Sequence, residues 1–431
     1  MSEEIIKHQL SNGLILQLKE IHTAPIISNW IWYRVGSRNE TPGKTGLSHW
    51  VEHMQFKGTP NFPQNILDKT ISRVGGNWNA FTYMDWTTYF ETLPAHAFEI
   101  GLELEADRMV NSLYQPEEVE LERTVVISER EGSENNPLFR LSEAVQLAAF
   151  NEHPYRYEVG GLKEDLLQIT RDDLYAHYRS YYQPGNALLS IAGDFNAEEM
   201  IKKVEYFFDK IPSSKVRKPE LNPEVPQSAE KLVDIDGPGK TTFIQIAYRS
   251  PRAADDSFFS LTVLDSLLTG PSGLNMFGSG GTTNKTSRLY MALVENEISV
   301  SVQGSLQATI DPYLYNIHLT VHPHKTAQEV LQATDDQIHR LQDELVTEEE
   351  ITRAVKQARA LFAYGSENIT NQAFWLGYAD TFASYDWFTH YVDHLAEVTP
   401  QEVMQIAKTY LSSKNRVVGI YHPNSQGKGL W

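Results

Sequence analysis

The stretch "SHWVEHMQFKGT", residues 48–59, carries two histidines four residues apart, with a glutamate directly before the second. His49 and His53 lie on one helix face, and Glu52 lies about 60° around the axis from His49, on the side away from His53. Two imidazoles so placed can share one metal ion while the carboxylate flanks it. This arrangement suits a zinc hydrolase, in which the metal lowers the pKa of a bound water and the carboxylate takes its proton. The alternative is a pair of ordinary surface histidines beside an ordinary charge.

A third ligand must be a histidine or a carboxylate, because the chain contains no cysteine. The same absence excludes disulfides, thiol nucleophiles and cysteine-ligated metals. Glu122 and Glu129 are seven residues apart on an acidic segment that is predicted to be a helix, so they face the same side. One of them can bind the metal while the other supports a ligand histidine. Without the two histidines, both glutamates would be interpreted as solvated.

Composition narrows the class of partner. The chain has 431 residues and a net charge of −19, which predicts two or three domains and argues against nucleic acid or an anionic membrane as the main partner. The acidic start "MSEEIIKHQL" does not resemble a secretory signal. No apolar run reaches the roughly 18 residues of a membrane span. We therefore expect a cytoplasmic protein.

The chain repeats one of its segments. "ITRDDLYAHYRSYYQPGNALLSIAGD" and "VTPQEVMQIAKTYLSSKNRVVGIYHP" align without a gap, and each predicts a threonine-capped helix, a polar turn and a strand. The matched pairs are Thr170 with Thr399, Tyr181 with Tyr410, and Asn186 with Asn415. The shared register favours internal duplication over a chance likeness of two common units.

Strands and helices alternate irregularly on both sides of a segment rich in proline, serine and charge, residues 211–231. The pattern predicts the α+β class: two similar domains, each an antiparallel sheet with helices, rather than a parallel βαβ array. The domains are an N-terminal metal-binding domain (1–210) and a C-terminal domain without the metal site (232–431), joined by the linker. Helices are predicted near residues 47–56, 97–111, 116–131 and 138–150.

The segments "HWVEHMQFKGT", "GGNWNAFTYMDWTTY" and "LERTVVISERE" resemble the M16 zinc metallopeptidases, and the length resembles the M16B group. The HxxEH order is that of the inverted zincins. The resemblance covers about residues 5–425 and implies two α/β-roll domains that form half of a clamshell.

Carried over by position, the resemblance implies one zinc ion per chain, held by His49, His53 and Glu129. It implies that Glu52 is the general base and that Glu122 supports a ligand. It also implies that Asn79, Ala80 and Thr82 lie on an edge strand that binds the backbone of a peptide substrate. The alternative for this strand is a glycine turn followed by packing aromatics.

One segment departs from the family pattern. Active members carry an arginine and a tyrosine in the second domain, but "SRLYMALVENEISVSV" places Val294 and Val300 there. The resemblance then implies the zinc-bearing half of a heterodimer, whose related partner subunit lacks HxxEH and supplies both groups. Arg288 and Tyr290 match packing positions of the family.

Two other interpretations stay open: a non-catalytic structural subunit of a larger complex, and a self-sufficient homodimeric peptidase. The glycine-rich segment 270–288 is either a surface loop or a substrate-contacting loop. The segment "HPYRYEVGG", residues 153–161, is interpreted as structural.

Overall fold

The computed structural model describes residues 5–216, 219, 221–222, 224–271 and 285–424. The chain forms two compact units. The first unit comprises Met1–Glu131, Tyr157–Leu221 and Ser366–Tyr385, and the second comprises Gly132–Arg156, Asn222–Gly365 and Asp386–Trp431.

Strands and helices alternate along both units. The strands are β1 (Ile6–Gln9), β2 (Ile15–Glu20), β3 (Ile26–Tyr33), β4 (Asn77–Thr82), β5 (Thr87–Pro94), β6 (Ala187–Gly193), β7 (Lys231–Pro238), β8 (Phe243–Arg249), β9 (Ser299–Leu306), β10 (Leu314–Val321) and β11 (Arg416–Asn424). The helices are α1 (Leu47–Met54), α2 (Gln64–Arg73), α3 (Glu99–Asn111), α4 (Pro116–Glu134), α5 (Pro137–Ala149), α6 (Lys163–Leu166), α7 (Arg171–Tyr181), α8 (Ala197–Phe208), α9 (Ser257–Leu268), α10 (Ala327–Asp343), α11 (Glu348–Gly365), α12 (Ile369–Phe382), α13 (Tyr385–Thr389), α14 (Tyr391–Glu397) and α15 (Pro400–Tyr410).

Each unit contains one sheet, and the two sheets share a topology. The first has the order β1-β2-β6-β3-β5-β4 and the second has the order β7-β11-β8-β10-β9. In each sheet one pair is parallel, β2 with β6 and β7 with β11, and the neighbours that follow are antiparallel. Apart from β1, every strand of the first sheet has a counterpart in the second. The predicted α+β class, with two similar sheet-and-helix domains, is confirmed.

Equivalent side chains fix equivalent turns in the two units. The Asn186 side-chain amide donates to the carbonyl of Arg34 (3.4 Å), and that of Asn415 donates to the carbonyl of Arg249 (3.1 Å). Each amide also donates to the carbonyl five residues earlier in the chain, at 3.0 and 2.8 Å. These bonds tie the end of α7 to β3 and the end of α15 to β8. The aligned asparagines therefore occupy matching positions, as duplication requires.

Two helices pack against the sheet of the other sequence repeat. α5 follows α4 in the chain but packs on β7, β8 and β11 of the second unit, whereas α12 packs on β2, β3 and β6 of the first. The close contact between α12 and β3 needs a residue without a side chain at Gly377, where a Cβ atom would come within 2.0 Å of the Trp32 indole. The compact units thus differ from the predicted 1–210 and 232–431 by two exchanged helices.

The repeated helix caps predict a measurable loss of stability. In both α7 and α15 the capping threonine oxygen accepts a backbone N–H and the third helical residue bonds back. Thr170→Ala or Thr399→Ala should each lower the free energy of unfolding by about 1 kcal/mol, because a helical N–H loses its acceptor. Urea unfolding measures this change. Thr409→Ala, in the last turn of α15, is the control, and an equal loss there would contradict the capping argument.

Candidate metal centre and its carboxylates

Helix α1 begins at a tightly fixed turn. Gly46 adopts φ +85°, a left-handed conformation, and a Cβ atom there would lie 2.8 Å from the carbonyl oxygen of Gly160. The Glu40 carboxylate accepts from the backbone N–H groups of Gly46 (2.8 Å) and Ser48 (2.6 Å). Burial raises the pKa of Glu40 to about 8, although these backbone donors lower it. Glu40 therefore satisfies donors that the helix start leaves open.

Helix α7 supports α1 from another side. The Ser48 hydroxyl donates to the carbonyl of Gly36 (3.0 Å) and lies 3.2 Å from Nε2 of His177. Because the serine proton is used, Nε2 of His177 is the donor in that contact. Burial lowers the pKa of His177 to about 3, so its ring is neutral at pH 7.

The three predicted ligands come together where one face of α1 meets α4. The Nε2 atoms of His49 and His53 are 3.2 Å apart, and Oε2 of Glu129, on α4, lies 3.9 and 3.4 Å from them. Tetrahedral zinc with bonds of about 2.0–2.1 Å needs ligand atoms about 3.3 Å apart. In the part of the chain that the structure describes, these side chains are the group whose ligand atoms all lie within 4.8 Å of one another. The donor set therefore fits a zinc ion.

The hydrogen bond made by His53 leaves one of its ring nitrogens available to a metal. Burial, and then the nearby His53, lower the pKa of His49 to about 4. Burial lowers the pKa of His53 as well, but the hydrogen bond to Glu122 and the charge of Glu129 outweigh it, and the net pKa is raised. Nδ1 of His53 lies 2.8 Å from Oε1 of Glu122. A proton on Nδ1 leaves the lone pair of Nε2 directed at His49 and Glu129.

Lys57 completes this chain of contacts. Its ammonium group pairs with Oε2 of Glu122, whose other oxygen contacts His53. Burial raises the pKa of Glu122, but the hydrogen bonds from His53 and Lys57 outweigh burial and hold it below its usual value. The predicted supporting glutamate therefore contacts a predicted ligand. Lys57 was missed in the sequence, although its position four residues after His53 was a usable signal.

Glu52 lies beside the three ligands and outside their group. Its side chain is buried, and Oε2 accepts a hydrogen bond of 2.6 Å from the hydroxyl of Thr82. Burial raises the pKa of Glu52 to about 6, while Thr82 and His53 lower it. A carboxylate with a pKa near neutrality can both accept and return a proton.

The predicted substrate positions lie on β4, the last strand of the first sheet. Asn79 is exposed and its Oδ1 accepts from the backbone N–H of Ala80 (2.9 Å), whose side chain is buried. The Thr82 side chain points to Glu52 instead of to solvent. That these three residues bind substrate stays a prediction.

The segment that departs from the family pattern forms a π-helix, Tyr290–Val294. Val294 is half-buried, and Val300 is exposed on the edge strand β9. Arg288 pairs with Glu350 at 2.9 Å, which suits the predicted packing role. Within the glycine-rich segment 270–288, residues 272–284 lie outside the described residues. Across the described helices, none is long and apolar enough to cross a membrane.

Family models match most of the chain. Residues 16–161 match the model described as insulinase (peptidase family M16), and residues 168–358 match the model described as the peptidase M16 inactive domain. An uncharacterised zinc protease of Streptomyces coelicolor is 24% identical over 94% of this chain and 87% of its own length. A probable mitochondrial-processing peptidase subunit beta of Schizosaccharomyces pombe is 26% identical over 95% of this chain and 89% of its own.

Solved structures share the fold over almost the whole chain. A protease from Helicobacter pylori superposes with a TM-score of 0.90 at 23% identity and covers 98% of this chain and 100% of its own. A peptidase M16 inactive domain from Pseudomonas fluorescens gives a TM-score of 0.86 at 15% identity, with 98% of each chain covered. At these identities the likeness shows the fold alone.

Burial of neutral His177 predicts a pH dependence of stability. Its pKa is about 3 in the folded chain and about 6.5 in the unfolded chain. The stabilisation is present above pH 6.5 and is lost as the pH falls toward 3, by about 1 kcal/mol at pH 5.5. Urea unfolding of the metal-free chain at pH 7.5 and 5.5 should show this loss. The His177→Gln variant should lack the part of the loss that comes from protonation of His177. An unchanged pH slope in the variant would contradict the assignment.

Proposed function

This chain belongs to peptidase family M16, and we propose that it is a zinc-dependent endopeptidase that hydrolyses peptides or unfolded segments. The observation that carries the proposal is the convergence of three ligand atoms from α1 and α4 beside a buried carboxylate. The zinc protease names of the relatives support the choice of metal.

His49, His53 and Glu129 would hold one zinc ion per chain. A bound zinc ion supplies Lewis acidity, which lowers the pKa of a coordinated water and polarises a carbonyl oxygen. Glu122 holds His53 by Nδ1 so that Nε2 faces the ligand group, and Lys57 holds Glu122. These residues orient the site without taking part in proton transfer.

Glu52 is the proposed general base. It takes a proton from the attacking water and passes it to the leaving amine as the peptide bond breaks. Its pKa of about 6 suits both transfers near neutral pH. A carboxylate with an ordinary pKa would accept the proton less readily and return it more readily.

The substrate would bind as an additional strand along β4. This strand pairs with β5 on one side, and no strand pairs with its other side among the described residues. Backbone hydrogen bonds along the strand that carries Asn79, Ala80 and Thr82 would then capture an extended chain with little regard to its sequence. Extended binding favours peptides and unfolded segments over folded proteins.

A second subunit is part of the proposal. Val294 and Val300 have no side-chain donor for an oxyanion, and Arg288 is paired with Glu350. Loss of one such donor typically costs 10² to 10³ in rate. We therefore propose a heterodimer with a related M16 subunit that lacks HxxEH and carries the arginine and the tyrosine.

Zinc content tests the metal site. The purified chain should bind about one zinc ion, measured by plasma mass spectrometry after dialysis. Glu129→Gln should weaken zinc binding at least tenfold in a chelator competition, because one charged ligand is lost. Glu117→Gln, in the first turn of the same helix, is the matched control. Equal affinities in both variants would contradict the role of Glu129.

Cleavage of a quenched fluorescent peptide library tests the reaction. The zinc-loaded chain is assayed alone and mixed with an M16 subunit from the same source that lacks HxxEH. We expect strong cleavage in the mixture and none with Glu52→Gln, which should keep its zinc. Full activity of the lone chain would refute the heterodimer and favour a self-sufficient homodimer. Bound zinc without cleavage in either form would favour a structural subunit.

A further inference from the structure

Successive residues of β4 direct their backbone N–H and C=O groups alternately to the edge that pairs with β5 and to the open edge. The Tyr83 N–H donates to the carbonyl of Trp86 (2.8 Å), so these two residues form a hydrogen-bonded pair. In an antiparallel ladder the next pair, Thr82 with Thr87, is not hydrogen-bonded, and the pattern repeats every second residue. The backbone groups of Thr82 and Ala80 therefore point to the open edge. The Ala80 N–H, which meets the Asn79 side chain at 2.9 Å, agrees with this assignment.

The side chain of Thr82 points in a different direction from its backbone groups. It lies on the same strand face as the buried Ala80, because the two residues are two positions apart along the strand. Its hydroxyl has one proton to donate. Oε2 of Glu52, at 2.6 Å, is a nearer acceptor than Oγ1 of Thr87, at 3.4 Å. Thr82 thus directs its backbone groups to the open edge and its hydroxyl to Glu52.

We infer that Thr82 is a positioning residue for the base, and that it links peptide capture on β4 to the placement of Glu52. The inference rests on the proposed function. With Oε2 held by the Thr82 hydroxyl, Oε1 is the oxygen that exchanges the proton. A peptide strand on the open edge bonds to the Thr82 backbone and so restrains the residue that holds the base. Thr82 thereby acts through Glu52 and not as a side-chain contact of the substrate.

The first test needs no catalysis. In the metal-free chain, Thr82→Val keeps the shape and removes the donor, while Thr82→Ser keeps the donor. Thr82→Val should lower the thermal midpoint by about 4 °C, since a bond to a carboxylate is lost. The drop should be less than half as large in a Glu52→Met background, and Thr82→Ser should stay near the wild type. Equal drops in the two backgrounds would overturn the inference.

The second test separates catalysis from binding in whichever preparation cleaves peptide, the chain alone or the heterodimer. Thr82→Val should lower kcat about tenfold or more and change KM less than about threefold, because the base is misplaced while the edge of β4 stays intact. Thr82→Ser should restore kcat. Thr409→Val, at an exposed threonine on α15 of the second unit, is the control.

The outcomes distinguish the two proposals. A wild-type enzyme that cleaves while Thr82→Val keeps its kcat would overturn the positioning role alone. A wild-type preparation that cleaves nothing, with or without the partner subunit, would overturn the proposed function and the positioning role with it. Loss of kcat without rescue by Thr82→Ser would assign Thr82 to packing instead.

Discussion

The contact between Nδ1 of His53 and Glu122 is the interaction on which the rest of the site depends. It joins α1 to α4, and it decides which nitrogen of His53 faces His49 and Glu129. Since Glu129 lies two helical turns beyond Glu122 on α4, the same contact also sets where Glu129 meets the two histidines. Lys57 balances the buried charge of Glu122. Without that cation, desolvation would favour a neutral Glu122 and a weaker bond to His53.

Among the described residues, the second unit has a sheet of matching topology and no cluster of metal ligands. Tyr315 pairs with Tyr248 on β8 as Thr87 pairs with Tyr33 on β3. The Tyr315 hydroxyl donates to Asp265 of α9, a fully buried carboxylate, at 2.8 Å. Here a helix carboxylate at the sheet accepts from two core hydroxyls, those of Tyr315 and Thr269, and has no histidine beside it in the sequence. A buried carboxylate on this helix is therefore compatible with packing alone. The first unit differs because α1 also carries two histidines beside its carboxylate.

Sequence patterns predicted the site residues that share a helix face, because those depend on local spacing. They did not predict which sheet each helix packs on, because that depends on tertiary structure. The helical spacing of His49 and His53, and the seven-residue spacing of Glu122 and Glu129, placed each pair on one helix face, and both pairs meet in the structure. The exchange of α5 and α12 was not predictable in this way. α12 is buried on nearly every side, so its sequence indicates burial without indicating against which sheet. Contacts of Glu40 with the start of α1 leave no local signal either.

Side-chain exposure falls from the proposed metal ligands to the proposed base. The Glu129 side chain is 52% exposed, that of His49 is 25% exposed and that of His53 is 16% exposed, whereas Glu52 is buried. The more exposed side chains leave the proposed metal site open to water. The buried carboxylate lies in a medium of low polarity, which penalises its charge and raises its pKa, and the hydroxyl of Thr82 limits that rise. Burial of Glu52 is therefore the largest cause of its raised pKa.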